Sequence, residues 1–350
     1  MKEKKYFELY CSVKEQIESG EYKNGEKLPS KRVMADKSGV SVITVAKAYE
    51  MLAEEGYIRS AEKSGYFVCG SAGFEKAEPK KQPFAYLPES VEVPETEFEY
   101  SVWFKTVRKV LSEQDSRLFV KSPNKGIPAL RNALSDYLYR YRGMRAEPSS
   151  IIIGSGAEQL YETVVKILGR DLVYGIENPS YPQIEAVYRG AEVEIQKLKM
   201  GADGIETKAL ESGKMDVLHV TPFKSYPTNV TTSVQKRHAY LKWAEVNKRY
   251  IVEDDFNSEF FMPGQPVRSL FALDKKDKVI YINTFSKSLS PAMRMGYMIL
   301  PEALMEKYDK ILSNFSCSVP VLDQYVLAEF IKSGNFERHL NRMRRKLNLR

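Results

Sequence analysis

The sequence predicts two domains, a small N-terminal domain of helices with a β-hairpin and a larger α/β domain with a mostly parallel sheet. The 350 residues exceed one ordinary hydrophobic core, since domains average roughly 100–200 residues. Residues 71–99, rich in Pro, Lys and Glu, interrupt the apolar periodicity, and short apolar runs alternate with helical segments after them. We therefore predict domains at residues 1–70 and 100–350, joined by a linker at 71–99.

Composition places the chain among ordinary globular proteins and excludes several classes. Hydrophobic residues make up 43% of it and charged residues 28%. No apolar run approaches the roughly 18 residues of a membrane-spanning helix, and the N-terminus lacks the apolar core of a secretory signal. The three cysteines and three histidines are too scattered for a metal site, so we expect no metal and a cytoplasmic location. The net charge of +7 permits nucleic-acid binding without indicating it.

Three helices and a hairpin are predicted before the linker. Apolar residues recur at helical spacing, serines stand where helices begin, and glycines stand where they end. The predicted elements are a helix at 4–19 that ends at Gly20, a helix from Ser30 to Gly39, a helix that begins at Ser41, and strands at Tyr57–Arg59 and Tyr66–Val68. Val45, Tyr49 and Leu52 fall on the inner face of the third helix.

Six short apolar runs predict the strands of the second domain. Helical or loop sequence separates them, which is typical of a mostly parallel sheet. The runs are Ile151–Ile153, Leu172–Tyr174, Val217–Val220, Tyr250–Val252, Val279–Ile282 and Tyr297–Leu300.

The order helix, turn, helix and hairpin predicts a winged helix-turn-helix whose third helix enters the major groove of double-stranded DNA. Contacts are expected from the outer face of that helix, from the start of the second helix and from the wing. The predicted DNA-binding residues are Ser30, Arg32, Ser41, Thr44, Lys47, Lys63 and Gly65. A three-helix adaptor that binds no DNA is the alternative, and the nearly neutral local charge leaves it open.

A second set of candidate residues follows the predicted strands of the α/β domain, where such sheets bind ligands. Lys287 offers an amine and Asp254 a carboxylate. The turn at 154–158 and Arg294 offer an anion cradle, and Tyr181 offers a face for stacking. Pyridoxal phosphate needs these four features. The predicted cofactor-binding residues are Ser155, Gly156, Ala157, Tyr181, Tyr226, Asp254, Thr284, Ser286, Lys287 and Arg294, with Lys287 as the catalytic residue.

Each of these features taken singly has a simpler interpretation. A lysine after a strand is usually a solvated surface group, a Gly-Ser-Gly sequence is usually a turn, and paired acids are usually solvated. The ordered set carries the prediction.

The segments Gly25–Ser30, Glu55–Tyr57 and Gly65–Val68 resemble the DNA-binding domain of the GntR family. The resemblance extends over residues 6–68. In that family an arginine commonly follows the serine that opens the recognition helix, whereas this chain has Val42. The operator sequence is therefore left open.

Residues 100–345 are similar to fold-type I aminotransferases, through Gly126–Arg131, Val252–Asp255 and Thr284–Lys287. A GntR-type DNA-binding domain fused to such a domain is the arrangement of the MocR subfamily.

The MocR resemblance implies a role for each part of the predicted pocket. Lys287 would form the internal aldimine, Asp254 would hold the pyridine nitrogen, and Arg294 with Thr284 would hold the phosphate. It also implies a head-to-tail homodimer.

Two features depart from the aminotransferase pattern. Phe256 stands where the family usually has a tyrosine bonded to the cofactor's phenolic oxygen, and Tyr226 is the candidate substitute. The last predicted helix continues to Arg350 without a stop signal, so we expect the small C-terminal subdomain to be incomplete. The basic residues at 338–350 are expected to form a solvated face.

These observations predict a transcription regulator that binds DNA, carries pyridoxal phosphate on Lys287, and senses it or an amino compound. A pyridoxal phosphate-dependent aminotransferase with an accessory DNA-binding domain is the alternative, limited to a half-reaction. A degenerate chain that binds DNA but no cofactor is the third hypothesis.

Overall fold

The computed structural model describes residues 5–61, 64–69, 98–246, 249–260 and 268–347. The chain divides into two compact units, Met1–Glu92 and Val93–Arg350. The predicted linker lies outside the described residues except for Phe98 and Glu99.

The described part of the N-terminal unit contains three helices and an antiparallel hairpin. Its elements are α1 (Lys5–Glu18), α2 (Lys31–Ser38), α3 (Val42–Glu54), β1 (Ile58–Ala61) and β2 (Gly65–Val68). The inner faces of α1 and α3 meet in one core, in which Val45, Tyr49 and Leu52 are fully buried. The predicted winged helix-turn-helix is confirmed in its element order and in the inner face of α3.

Local capping explains where α2 and α3 begin and end. Ser30 and Ser41 are the N-caps, and their hydroxyls accept hydrogen bonds from the amides of Val33 and Thr44. Gly39 closes α2 in the left-handed conformation, at a φ of 63°, which costs glycine nothing. These caps are the ones that the sequence predicts.

The C-terminal unit alternates helices and strands. Its helices are α4 (Tyr100–Gln114), α5 (Pro128–Tyr137), α6 (Ala157–Leu168), α7 (Pro182–Gly190), α8 (Thr207–Ser212), α9 (Val234–Ala244), α10 (Leu270–Leu273), α11 (Glu302–Leu312), α12 (Val321–Lys332) and α13 (Asn335–Leu347). Its strands are β3 (Ile151–Gly154), β4 (Val173–Asn178), β5 (Glu194–Gly201), β6 (Gly204–Ile205), β7 (Val217–Val220), β8 (Tyr250–Asp254), β9 (Val279–Thr284) and β10 (Gly296–Ile299).

The strands form an eight-stranded sheet in the order β3-β10-β9-β8-β7-β4-β5-β6. The central pairs are parallel, whereas β10 is antiparallel to both neighbours and β6 is antiparallel to β5. The prediction of a mostly parallel sheet is confirmed. Sequence reasoning missed β5 and β6, because β5 is a half-exposed strand with interspersed polar residues and no continuous apolar run.

Helices cover both faces of the sheet. One face packs against α6, α7 and α11, and the other against α5, α12 and α13. Because β10 runs against both β3 and β9, the carboxyl ends of β3 and β9 lie at one edge, with Gly154 and Thr284 both paired to Gly296. That edge is where open α/β sheets bind ligands.

The last described helix, α13, packs its apolar face into the core through Phe336 and Leu340. The expectation of a fully solvated basic face is wrong for Arg344. Its side chain is half-buried, and its Nε donates to the carbonyl of Glu259 at 2.6 Å. A basic side chain thereby holds the segment that follows β8.

Candidate functional site

A cavity of about 370 Å³ opens at the carboxyl edge of the sheet. All of the predicted cofactor residues line it except Ser155 and Gly156. Its lining consists of Ala157, Glu158, Tyr161, Tyr181, Gln183, Tyr226, Asp254, Phe256, Thr284, Ser286, Lys287, Pro291 and Arg294. Residues from five separate chain segments therefore converge on one small space.

The turn between β3 and α6 lies against the side chain of Arg294. Gly156 has a φ of 106°, and a Cβ there would lie 3.1 Å from Nη2 of Arg294. Only glycine lets the guanidinium approach this closely without strain. The amide of Ser155 donates to Oε1 of Gln159 at 3.2 Å, so its hydrogen bond is already made. The start of α6 lies beside Arg294 and favours an anion.

Arg294 follows a short turn and has the left-handed φ of 42°, an uncommon conformation for a non-glycine residue. Such backbone strain is concentrated at functional positions. Its Nη2 lies 2.5 Å from Oε2 of Glu158, in the first turn of α6. Sequence reasoning included Glu158 only as the last residue of the turn at 154–158 and assigned its side chain no role.

Asp254 ends β8 with its carboxylate buried. The hydroxyl of Tyr161 donates to Oδ2 at 2.5 Å, and Nε2 of His219 lies 3.9 Å from the same oxygen. Nδ1 of His219 is hydrogen-bonded to the hydroxyl of Tyr188 at 2.7 Å, whereas its buried Nε2 has no partner among the described residues. The Tyr161 hydroxyl thus holds the Asp254 carboxylate, and the His219 ring lies near the same carboxylate oxygen.

Tyr161 and His219 were missed by sequence reasoning, which regarded the histidines as scattered. Weak signals for both existed. Tyr161 follows Ala157 by one helical turn, and His219 is the polar member of an otherwise apolar buried strand.

The amine of Lys287 faces aromatic and amide groups. Its Nζ donates to Oδ1 of Asn257 and lies 5.6 Å from the ring centre of Phe256 and 5.3 Å from that of Phe260. Although the residue as a whole is exposed to the pocket, partial burial of the amine lowers its pKa, and the positive charge of Lys224 lowers it further. Asn257 and Phe260 were not predicted as site residues.

Two tyrosines also line the cavity. The rings of Tyr181 and Tyr226 meet edge to face, with centres 5.9 Å apart. Glu177, at the end of β4, accepts hydrogen bonds from the amide of Thr221 and from the hydroxyl of Ser225 at 2.5 Å, which fixes the loop that carries Tyr226. Burial raises the pKa of the Glu177 carboxyl to about 8.

The neighbouring acid, Asp255, points to the other side of the sheet, as strand alternation requires. Its Oδ2 accepts hydrogen bonds from Arg142 at 2.9 Å, from Tyr281 at 2.8 Å and from Ser258 at 2.6 Å. Asp254 therefore lines the cavity, whereas Asp255 belongs to a hydrogen-bond network outside it. Both carboxylates are buried.

In the N-terminal unit, the predicted DNA-binding residues fall into two groups. Ser30 and Ser41 use their hydroxyls as helix caps. Arg32 and Lys47 are exposed, and Nζ of Lys47 lies 4.8 Å from the ring centre of Tyr6.

The remaining predicted contacts are Thr44, Gly65 and Lys63. Thr44 is half-buried, and its hydroxyl shares a 2.8 Å hydrogen bond with that of Ser41. Gly65 begins β2 at a φ of 114°. Lys63 lies outside the described residues.

Sequence reasoning also missed an exposed apolar group at the start of α3. Ile43 is 82% exposed, and Val42 beside it is exposed as well. Apolar side chains on the outer face of such a helix are suited to contact the methyl groups of thymines. Their positions directly after the predicted N-cap Ser41, off the inner face of α3, were the sequence feature that could have identified them.

Among the described helices, none combines the length and the apolar content that a membrane crossing requires. Within the same part of the chain, no group of three or more His, Cys, Asp and Glu residues is arranged to hold a metal ion.

Comparison with known families identifies both units. Residues 96–350 match the family described as aminotransferase class I and II. Residues 5–68 match the bacterial regulatory proteins of the gntR family.

Similar proteins carry the same combination. The HTH-type transcriptional regulator YdeL of Bacillus subtilis (strain 168) is 34% identical, over 97% of this chain and 76% of its own length. MocR of Rhizobium meliloti, named a probable rhizopine catabolism regulatory protein, is 28% identical, over 97% of this chain and 74% of its own length.

A structural likeness covers the second unit. The alpha-aminoadipate aminotransferase LysN of Thermus thermophilus matches with a TM-score of 0.63 and 27% identity, over 72% of this chain and 65% of its own. This chain spans less than two thirds of the length of the first aminotransferase structures it matches. Together these findings show that the chain belongs to the MocR subfamily of transcriptional regulators, in which a gntR-type DNA-binding domain is joined to a fold-type I aminotransferase-like domain.

Proposed function

We propose that this chain is a ligand-responsive regulator that binds operator DNA through α3 and takes pyridoxal phosphate at Lys287. One observation carries the proposal: the Lys287 amine, the buried Asp254 carboxylate, and Arg294 beside Gly156 line or border one cavity of about 370 Å³. The ligand would change DNA binding, and the gntR-family match of residues 5–68 supports a DNA-binding role for the N-terminal unit.

The pocket has residues suited to the phosphate, the ring nitrogen and the aldehyde of the cofactor. Pyridoxal phosphate, when bound, supplies an aldehyde that condenses with an amine and a ring that withdraws electrons. Arg294, the Gly156 turn, Thr284 and Ser286 would hold the phosphate, since Gly156 leaves open the space that a Cβ would fill.

The remaining residues would orient the ring. Asp254 would pair with the ring nitrogen, and the Tyr161 hydrogen bond keeps its carboxylate in place. Tyr181 would stack on the ring. Phe256 has no hydroxyl to hold the phenolic oxygen, and Tyr226 is the wall residue available for that role.

Lys287 is prepared to act as a nucleophile. A neutral amine is the form that would condense with the cofactor's aldehyde, and the lowered pKa of Lys287 increases the neutral fraction near pH 7. Asn257 accepts a hydrogen bond from Nζ and thereby directs the amine.

We expect adduct formation to accelerate with rising pH, with a midpoint below the roughly 10.4 of a free lysine. The reason is that the charged amine, which dominates below the pKa, cannot attack. The rate of reaction with phosphate-free pyridoxal, followed by absorbance, avoids titrating the ligand's own phosphate. The Lys224→Gln variant removes one cause of the low pKa, so its midpoint should move upward. A wild-type midpoint at the free-lysine value would contradict the prediction.

The proposed output is a change in DNA affinity. A ligand that favours one of two protein states typically couples two sites by about 1–3 kcal/mol. We propose that a homodimer, arranged head to tail, transmits this coupling. Operator affinity measured with and without pyridoxal phosphate and candidate amino acids tests the proposal, and affinities that no ligand changes would refute it.

DNA contact by α3 has its own test. Lys47→Ala is expected to weaken DNA binding and to lower the slope of log affinity against log salt by about one, because one phosphate contact is lost. Lys47 is exposed on the outer face of α3. Because a phosphate contact does not depend on base sequence, we expect the same loss of affinity on operator DNA and on unrelated DNA. The unrelated DNA serves as the control. An unchanged salt slope would remove Lys47 from the interface.

An aminotransferase is the second candidate function, and the placement of Lys287 and Asp254 in one pocket favours it. Phe256 weighs against full transamination. Steady-state turnover with an amino donor and a keto acceptor would establish this function, whereas a single half-reaction would not.

A further inference from the structure

The arginine of the anion cradle already has an anionic partner. Oε2 of Glu158 lies 2.5 Å from Nη2 of Arg294, and the same nitrogen is the atom nearest to the Cβ position of Gly156. Glu158 thus occupies a donor of Arg294 at the place where the turn and the start of α6 favour an anion.

Glu158 lies in the first turn of α6, where the helix dipole also favours an acidic side chain. Within the described ranges, Arg294 is its only ion-pair partner, and its side chain is 40% exposed. The residue lines the cavity together with Lys287, so its charge faces the space that a ligand enters.

We propose that Glu158 competes with the phosphate of the cofactor for Arg294 and so weakens the uptake of pyridoxal phosphate at Lys287. This inference rests on the proposed function and deepens it. A chain with this competitor takes up and releases the cofactor as its concentration changes, which a sensor requires and a permanently loaded enzyme does not.

The physical balance favours a modest effect. The side chains of Arg294 and Glu158 are 56% and 40% exposed, and ion pairs of this kind are weak. A phosphate can accept two parallel hydrogen bonds from the guanidinium, so it displaces a carboxylate held at one nitrogen. The displaced carboxylate remains attached to the first turn of α6 and repels the bound dianion. Removing its charge is expected to tighten binding on the order of fivefold.

The α6 helix offers a matched control. Glu162 lies one turn further along, is exposed, and pairs with Lys166 at 3.8 Å instead of with Arg294. It does not line the cavity. Glu162→Gln removes the same charge from the same helix without touching the cradle.

The test compares the full-length wild type, Glu158→Gln and Glu162→Gln. Each is titrated by absorbance with pyridoxal phosphate and with pyridoxal, which lacks the phosphate. We expect Glu158→Gln to tighten only pyridoxal phosphate binding, by roughly fivefold at low salt, and Glu162→Gln to change neither. The gain should shrink at high salt, because screening weakens the repulsion.

Two results would overturn the proposal. Equal affinities of wild type and Glu158→Gln for pyridoxal phosphate would show that Glu158 does not compete. Weaker binding by Glu158→Gln would show that Glu158 instead holds Arg294 in place for the phosphate.

Failure of the proposed function is distinguishable from both. If the wild type forms no adduct with either aldehyde, the assignment of Lys287 fails. A phosphorus NMR titration with inorganic phosphate then decides the role of Glu158 on its own. Tighter phosphate binding by Glu158→Gln supports the competition, and unchanged or weaker binding refutes it.

Discussion

Lys287→Ala is expected to abolish the borohydride-stabilised adduct with pyridoxal phosphate completely, while weak non-covalent binding persists. The loss follows because the variant has no amine at position 287 in the cavity lining. The residual binding follows because Arg294 and Asp254, which hold other parts of the ligand, are unchanged. Peptide mapping after borohydride reduction of the wild type, with absorbance titration of both proteins, measures the two effects.

Lys224→Gln is the matched control for this prediction. Lys224 is the neighbouring cation that depresses the pKa of Lys287, and it is exposed. Its replacement should leave the adduct at Lys287 intact. A reducible adduct that survives in Lys287→Ala would show that another lysine is the attachment site, and the proposed function would then lose its chemical basis.

Asp255→Ala is expected to lower the free energy of unfolding of the C-terminal unit by about 3–5 kcal/mol. Asp255 is completely buried, and its Oδ2 lies 2.9 Å from Nη2 of Arg142, whose side chain is only 11% exposed. The substitution leaves the Arg142 charge buried without its partner. It also takes an acceptor from the hydroxyls of Tyr281 and Ser258.

Denaturant unfolding followed by tryptophan fluorescence isolates this effect. The chain has two tryptophans, Trp103 and Trp243, and both belong to the C-terminal unit. The signal therefore reports on that unit alone, which matters because a two-domain chain need not unfold in one step.

Asp309→Ala provides the comparison for a surface ion pair. Asp309 lies 2.9 Å from Nζ of Lys125 and is 52% exposed, so its loss should cost less than about 1 kcal/mol. If Asp255→Ala costs no more than Asp309→Ala, the buried network does not stabilise the unit as described.

The pocket should also respond to Asp255→Ala. Asp255 accepts a hydrogen bond from the backbone amide of Ser258. The preceding residue, Asn257, contacts Lys287. Release of this segment is expected to lower the affinity for pyridoxal phosphate even under conditions in which the variant stays folded.

Several parts of the fold were predictable because their causes are local. The caps Ser30, Gly39 and Ser41 lie within four residues of the groups they bond or close. The runs that became β7, β8 and β9 are buried on both faces, so each is mostly apolar in sequence. The half-exposed β5 gave no such run and was missed.

The cavity was predictable in its main members for a related reason. Lys287, Asp254 and the glycine turn follow strands, and the carboxyl ends of parallel strands meet at one edge. The order of these residues along the chain was sufficient to place them together. It was not sufficient to show which other side chains surround them.

The sequence by itself therefore predicted the winged helix-turn-helix and the α/β fold, the helix caps of the N-terminal unit, the central strands, and most of the residues proposed for the cavity. The tertiary structure alone decided that Tyr161 bonds to Asp254 across 93 positions of the chain, that Glu158 occupies Arg294 across 136 positions, and that Arg344 holds Glu259. Local patterns record the burial and dihedral preferences of neighbouring residues. Contacts between distant residues depend on the packing of whole helices against the sheet, which no short segment specifies.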